Sequence, residues 1–204
     1  MSNDPLSTIF TIGCSTHSQD SFISLLRHHE ITVIVDVRSV PYSRHTAHFN
    51  REVLQKYLAL NKISYLFMGA EFGARREEPQ TYTQNQVDFE KVFELSIFGK
   101  GIQRLKTGLA KGHKIALMCT EKDPIDCHRS IMVTRYISEK LQLPVAHIHF
   151  DGSIETNRLF EQRLKELTGE KMDLFTQDEH TLLRRAYRKV ESRIAYKGEP
   201  VCPI

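Results

Sequence analysis

The segment from Lys114 to Arg135 constrains the fold of this chain most. It begins with an apolar run, Ile115 to Met118, which predicts a buried strand, and then passes through polar residues into a turn. Asp123 is a suitable N-cap and Pro124 a suitable first helical residue, so we predict that a helix begins there. A strand that leads directly into a helix is typical of open α/β sheets, where ligands bind beyond the carboxyl ends of the strands.

The remaining sequence alternates short β-branched runs with amphipathic segments. Strands are predicted at Thr8–Gly13, Ile31–Val37, Ser64–Gly69 and Val145–Phe150, and the second of these is apolar enough to be the central strand. Predicted helices span residues 18–30, 51–61, 87–97, 101–110 and 156–167. This order predicts a Rossmann-like three-layer α/β sandwich with a mostly parallel, five-stranded sheet.

The C-terminal segment differs in composition from the rest. We assign residues 1–175 to the α/β domain and residues 176–204 to a basic helical extension. A basic helix that carries Tyr187 and Tyr196 is able to follow a phosphate backbone. We favour the other interpretation, in which Leu182, Ala186 and Val190 pack on the domain and the basic face is simply solvated.

Composition narrows the class of protein. The 204 residues have a net charge of +3, which is too small to imply nucleic-acid binding by itself. Four cysteines at wide spacing, Cys14, Cys119, Cys127 and Cys202, suit a reducing compartment better than a disulfide framework. No apolar run is long enough to span a membrane and no secretory signal is recognisable, so we expect a cytoplasmic protein without a membrane partner.

Polar residues follow the predicted strands and would meet at one edge of a parallel sheet. The candidate catalytic residues are Glu121, Cys127 and His128, and the candidate anion-binding residues are Ser15, Asp36, Arg38, Ser43, Arg44, Arg75 and Arg129.

Cys127 is the sharpest candidate for chemistry. In the first turn of a helix, beside His128 and Arg129, its thiolate would be stabilised, which suits a nucleophile. The alternative is a small residue that packs the helix onto the sheet. Glu121 is able to act as a general acid or base, or simply to bind Arg129 or helix amides.

Four arginines form a possible anion clamp: Arg38, Arg44, Arg75 and Arg129. We expect two of them to lie in the site and the others to form ordinary ion pairs. Asp36 and Arg38 are expected to point to opposite faces of the sheet and therefore not to pair.

A metal site has weaker support. Cys119, Cys127 and His128, with His17 as a further candidate, are suitable ligand types, but their spacing matches no zinc pattern. Adjacent residues of a helix also diverge by about 100°. No residue is therefore assigned as a metal ligand, and no cofactor is identified.

Three sequence blocks resemble a known family. They are TIGCS at residues 11–15, VDVRSVPYSR at residues 35–44 and MCTEKDPIDCHR at residues 118–129. Their order and spacing are similar to those of the family of domain of unknown function 488, over about Thr8 to Gly152. The resemblance supports the predicted fold and the predicted site, but the family name assigns no reaction.

Three functions therefore stay open. The leading one is an enzyme that acts on an anionic substrate, either nucleotide-like or a nucleic acid. The second is a binding module for nucleotides or nucleic acid that uses the same residues without catalysis. The third is a metal-dependent or redox thiol protein based on Cys119 and Cys127.

Overall fold

The computed structural model describes residues 8–172 and 178–198, so Cys202 and both ends of the predicted extension lie outside the described residues. In chain order the elements are β1 (Ile9–Gly13), α1 (Gln19–His28), β2 (Val33–Asp36), α2 (Arg51–Leu60), β3 (Ser64–Phe67), α3 (Gly69–Phe72), β4 (Tyr82–Thr83), β5 (Gln86–Val87), α4 (Phe89–Phe93), α5 (Ser96–Ala110), β6 (Ile115–Cys119), α6 (Arg135–Leu141), β7 (Val145–Ile148), β8 (Ile154–Thr156), α7 (Asn157–Thr168) and α8 (Glu179–Ile194). Short 3-10 helices span Ala47–Phe49, Pro79–Thr81 and Pro124–Asp126, and a π-helix spans Arg129–Thr134.

The main sheet has six strands in the order β3-β2-β6-β1-β7-β8. Five of them are parallel, as predicted, and β8 pairs antiparallel with β7. The prediction missed β8 because this three-residue strand contains a single apolar side chain, Ile154, which is itself exposed. The mostly parallel α/β fold is otherwise confirmed.

The middle strand of the five parallel strands is β6 rather than β2. β6 lies between β1 and β2, whereas β2 lies between β6 and β3. The prediction that Ile31–Val37 forms the central strand is therefore wrong. A high apolar content indicates that both faces of a strand are covered. The order of the strands in the sheet depends instead on the crossover connections, which cannot be predicted from hydrophobicity.

Alternating side chains of the sheet form two hydrophobic cores, one on each face. Ala116 and Met118 of β6 face a core that includes Phe22 and Leu54, from α1 and α2. The neighbouring residues of β6, including Leu117, face a second core to which α4, α5, α6, α7 and α8 contribute. This period of two is what a strand covered on both sides requires.

Helix α8 packs against the second core. Its Leu182, Ala186 and Val190 are buried, and Ala186 belongs to the same cluster as Leu117. These contacts agree with the interpretation that the apolar face of α8 packs on the domain. The assignment of residues 176–204 to a separate extension stays a prediction. Among the described residues, no helix combines the length and the apolar character that crossing a membrane demands.

Candidate functional site

The first and third sequence blocks meet at the carboxyl edge of the sheet. Cys119 ends β6, and Gly13, which ends β1, is its parallel neighbour. The backbone N–H groups of Cys14 and Ser15 donate to the carbonyl oxygens of Cys119 and Thr120, both at 2.9 Å. A Cβ atom on Gly13 would lie 2.1 Å from the carbonyl oxygen of Glu121, so glycine is needed for the loop to cross β1 here.

The helix predicted to begin at Asp123 is interrupted. Asp123 caps a turn by accepting a hydrogen bond from the N–H of Ile125 at 2.9 Å, as expected, but this 3-10 helix ends at Asp126. Cys127 is extended, with φ −134° and ψ 136°, and a new helix starts only after His128. Cys127 therefore does not lie in the first turn of one continuous helix, and that part of the prediction is wrong.

The interruption directs four side chains towards one point. The ligand-type atoms of Cys119, Glu121, Cys127 and His128 all lie within 4.8 Å of one another. Glu121 Oε2 is 2.9 Å from Cys119 Sγ and 3.1 Å from Cys127 Sγ. His128 Nδ1 lies 3.7 Å from Cys119 Sγ and 4.0 Å from Cys127 Sγ. We call this group the Cys–Glu–His cluster.

Backbone groups hold two members of the cluster in place. His128 Nε2 lies 3.0 Å from the carbonyl oxygen of Val37, so this nitrogen bears the hydrogen and donates. The N–H of Arg129 donates to Cys127 Sγ at 3.5 Å. His128 Nδ1 therefore faces the two sulfur atoms, with a lone pair when the ring is neutral and with a hydrogen when the ring is protonated.

The pKa values of the two thiols are shifted in opposite directions. Burial and the hydrogen bond with Cys127 raise the pKa of Cys119 well above its ordinary value. Burial also opposes ionisation of Cys127, but the hydrogen bond from Cys119 and the charge of Arg129 outweigh it, so the pKa of Cys127 is lowered. Cys127 is consequently the thiol that ionises first.

The Cys127 thiolate raises the pKa values of its neighbours Glu121 and His128. Glu121 as a residue is exposed, but its carboxyl group is packed among neighbouring atoms, and this desolvation together with the charge of Cys127 raises its pKa. Burial disfavours protonation of His128, but the hydrogen bond with Cys127 outweighs that effect and raises its pKa. Negative charge on Cys127 thus favours a proton on one of its two neighbours.

The side chain of Arg129 fixes the backbone next to the cluster. Its side chain is fully buried, and its Nη1 donates to the carbonyl oxygen of Glu121 at 2.7 Å. Nη2 donates to the carbonyl oxygen of Lys122 at 3.4 Å. The guanidinium group therefore holds the loop after β6, and it reaches the backbone of Glu121 rather than its carboxylate.

Asp36 and Arg38 form a buried ion pair. Arg38 Nε donates to Asp36 Oδ1 at 2.9 Å, and Nη2 donates to Oδ2 at 2.6 Å. The expectation that these side chains do not pair is wrong, because residues two positions apart in an extended chain point to the same face. Tyr65 donates to Asp36 Oδ2 at 2.7 Å, so the carboxylate is already well occupied.

A cleft of about 300 Å³ opens beside the cluster. Its lining includes four of the predicted site residues: Arg38, Arg75, Glu121 and His128. Cys119 also lines the cleft, whereas Cys127 is buried and does not. Ser15, Ser43 and Arg44 are not part of its lining. The Ser43 hydroxyl oxygen instead accepts from the N–H groups of His45 and Thr46 within its own turn.

Comparison with known proteins places the chain in a family. The family model described as domain of unknown function DUF488 matches residues 18–136, which is more than half of the 204 residues. The chain belongs to the DUF488 family. No curated protein matches it, and neither does any solved structure.

The matched region of this DUF488 chain contains the second and third sequence blocks, but not TIGCS at residues 11–15 or helix α8. It therefore includes every member of the Cys–Glu–His cluster and the Asp36–Arg38 pair. The description of the family names no activity, so membership supports the fold without selecting a reaction.

Tyr196 is a cleft residue that the sequence did not identify as one. The segment after α8 returns to the β4–β5 hairpin, where the N–H of Val87 donates to the carbonyl oxygen of Tyr196 at 3.0 Å. The ring of Tyr196 then lies 5.4 Å from the guanidinium carbon of Arg75. No sequence pattern links these residues, because their proximity depends on how α8 packs.

A second, larger cleft of about 860 Å³ lies on the other side of Glu121. Carboxylates dominate its lining, including Asp123, Asp151 and Glu155. Its Arg163 donates to both Asp123 and Glu155, at distances from 2.8 to 3.1 Å. This cleft is thus less suited to an anion than the smaller one.

Proposed function

We propose that this protein is an enzyme that acts on a small anionic substrate in the cleft beside the Cys–Glu–His cluster. The observation that supports this most is the convergence of a carboxyl group, an imidazole and two thiols at the wall of one cleft. Such groups transfer protons and attack electrophiles, and pairs of groups with displaced pKa values are typical of catalytic sites.

Arg75 is the residue that we expect to bind the anion. It is exposed and lines the cleft, and its contact with the Tyr196 ring leaves its guanidinium N–H groups able to bind a phosphate or carboxylate. Arg38 also lines the cleft, but its guanidinium group is paired with Asp36. Arg75 is therefore the better of the two for direct contact.

The size of the cleft favours a small molecule over a nucleic-acid strand. About 300 Å³ is at the lower end of the range for small-molecule sites. Several cations of α8 are also paired with carboxylates of the domain: Arg188 with Asp88 at 2.9 Å, Lys189 with Glu170 at 2.5 Å and Arg193 with Asp126 at 2.6 Å. These pairs reduce the charge available to a phosphate backbone.

Within the site, we assign proton transfer to Glu121. Cys127 is buried and does not line the cleft, so we assign it the role of a thiolate that exchanges a proton with Glu121. Glu121 borders the cleft while its Oε2 contacts both thiols, so it is placed to carry a proton between the sulfur atoms and a bound molecule. Cys127 lies just behind it, where Arg129 N–H and His128 stabilise a thiolate.

A thermal-shift screen followed by a turnover assay tests this function. The purified protein is mixed with inorganic phosphate, pyrophosphate, nucleotides, sugar phosphates and short oligonucleotides, and a ligand of the folded state raises the melting temperature. We expect a small phosphate-bearing compound to do so for the wild type and for Arg184→Ala, which changes an exposed arginine of α8, but not for Arg75→Ala. Glu121→Gln should keep the shift and lose about 100-fold or more in turnover of that compound, followed by NMR.

The same experiment separates the enzyme from a binding module. A compound that stabilises the protein through Arg75 but is never converted by the wild type would contradict catalysis and favour recognition alone. If no anion stabilises the wild type, or if Arg75→Ala responds equally, the proposed anion site is wrong.

A further inference from the structure

The sulfur-to-nitrogen distances within the Cys–Glu–His cluster are close to those between two ligands of one metal ion. With bonds of about 2.3 Å to sulfur and about 2.0–2.1 Å to nitrogen, a tetrahedral zinc ion separates a sulfur and a nitrogen ligand by about 3.6 Å. His128 Nδ1 lies 3.7 Å from Cys119 Sγ and 4.0 Å from Cys127 Sγ. All four ligand-type atoms also fit within 4.8 Å of one another, so one ion is able to reach them together.

His128 has the orientation of a metal ligand. Its Nε2 donates to the Val37 carbonyl oxygen, which directs the lone pair of Nδ1 towards both sulfur atoms. Metal-binding histidines almost always use their second nitrogen in this way, because the hydrogen bond fixes the tautomer and the direction of the ring.

The backbone at Cys127 removes the divergence that counts against a metal site. Consecutive residues of one helix point in directions about 100° apart. Cys127 is extended, and His128 precedes the π-helix, so the side chains of these two neighbours converge. The interruption after Asp126 is what makes shared ligation possible.

We propose that this cluster binds one zinc-type divalent cation through Cys119 Sγ, Cys127 Sγ and His128 Nδ1, with the Glu121 carboxyl group next to the fourth, open position. Two thiolates and an imidazole are a ligand set that favours zinc over magnesium or calcium. Three protein ligands from cysteine and histidine, with the remaining side facing a cleft, are typical of catalytic rather than structural zinc. Because Cys119, Glu121 and His128 line the cleft, a bound ion would border it.

Metal binding and the proposed enzymatic function can be separated. The metal site needs only the four side chains, whereas the enzyme also needs Arg75 and turnover of a substrate. If the ion is present, Cys127 is a ligand rather than a thiolate that exchanges a proton with Glu121, and Glu121 stays as the group that transfers protons beside the metal. Metal binding without turnover would leave this inference standing and contradict the enzyme, whereas turnover by a protein that fails to bind Co²⁺ or Zn²⁺ would do the reverse.

Cobalt titration of the full-length protein tests the site. The protein is stripped of metal, reduced, freed of reductant under nitrogen and titrated with Co²⁺, whose absorption reports thiolate ligands and tetrahedral geometry. We expect one equivalent to bind with a thiolate-to-cobalt charge-transfer band, and added Zn²⁺ to displace it. Elemental analysis of the zinc-loaded protein should give the same stoichiometry, and Zn²⁺ should raise the melting temperature of the metal-free protein.

Substitutions assign the ligands. Cys119→Ser and His128→Ala should each lower the affinity for Co²⁺ by more than about 100-fold, which exceeds the usual effect of changing a group outside the ligand shell. Cys14→Ser is the matched control, because Cys14 is also fully buried near the end of β1 but belongs to the core on the opposite face of the sheet. The Co²⁺-loaded Glu121→Gln variant should keep the thiolate-to-cobalt charge-transfer band and show an altered visible absorption spectrum.

Three results would overturn the site. They are the failure of reduced wild-type protein to bind Co²⁺ or Zn²⁺, equal binding by Cys119→Ser, and equal loss in Cys14→Ser. Far-UV circular dichroism of each variant shows whether it is folded, and the wild-type titration decides the question even where a variant does not fold.

Discussion

Arg38 and Arg129 illustrate how burial changes the role of an arginine. Both are among the four candidate anion-binding arginines, but Arg38 is paired with Asp36, and Arg129 donates to backbone carbonyl oxygens of the loop after β6. A guanidinium group that satisfies internal acceptors stabilises the position of the site. Direct contact with a ligand is better suited to exposed Arg75.

The Asp36–Arg38 pair should be important for stability. Asp36→Ala leaves the buried Arg38 guanidinium group without its counter-charge, and removing one partner of a buried pair costs about 3–5 kcal/mol. Urea denaturation should show this loss in the free energy of unfolding. Tyr65→Phe, the matched control, removes only one hydrogen bond to the Asp36 carboxylate, leaves the ion pair in place and should cost less, about 1.5–3 kcal/mol. Equal effects of the two variants would contradict this role of the pair.

His147 should make the protein sensitive to acid. It is fully buried, with Nδ1 2.9 Å from Thr11 Oγ1, and burial lowers its pKa to about 3 from its ordinary value of 6.5. Between these values the unfolded chain binds a proton that the folded protein does not, so stability is full above pH 6.5 and falls as the pH decreases towards 3. The loss is on the order of a few kcal/mol.

Melting temperatures measured from pH 7 to pH 4 check this effect. The wild type should lose stability over this range, and His147→Gln should lose distinctly less because it has no imidazole to protonate. His113→Gln changes an exposed histidine and should follow the wild type. An unchanged pH dependence in His147→Gln would show that other groups control acid sensitivity.

At the scale of elements, the segment from β6 to α6 shows where local sequence rules apply and where they do not. The apolar run, the Asp123 cap and the Pro124 position were all predicted, and each is present. The extended Cys127 was not predicted, because no residue in this stretch forces a break. The break instead accompanies contacts made from outside the segment, such as that of His128 with Val37.

Helix α8 should behave as part of the core rather than as an accessory. Leu182 is 3% exposed, and Leu182→Ala should lower the free energy of unfolding by about 2–5 kcal/mol because it leaves a cavity. Arg184→Ala, on the exposed side of the same helix, should change it by less than about 0.5 kcal/mol. Chemical denaturation measures both, and a small effect of Leu182→Ala would favour the division into a domain and a separate extension.

At the scale of the whole molecule, the candidate site depends on distant parts of the chain. TIGCS reaches the cluster through β1, the loop after β2 supplies the Val37 carbonyl oxygen, and the segment after α8 adds Tyr196 to the cleft. A parallel sheet brings these loops together because all its strands end at the same edge. The predicted location of the site followed from this rule, whereas its cleft depends on the packing of α8.

The sequence by itself determined the α/β class, five of the six strands of the main sheet and the residue types that meet at its edge. The periodicity of apolar residues, the helix-capping residues and the spacing of motifs are local properties, so they can be recognised in the sequence alone. Only the tertiary structure decided that β6 is central, that Arg38 and Arg129 are committed to internal partners, and that Cys127 and His128 converge. Those outcomes depend on hydrogen bonds and burial between residues far apart in sequence, which outweigh the local preference for one continuous helix.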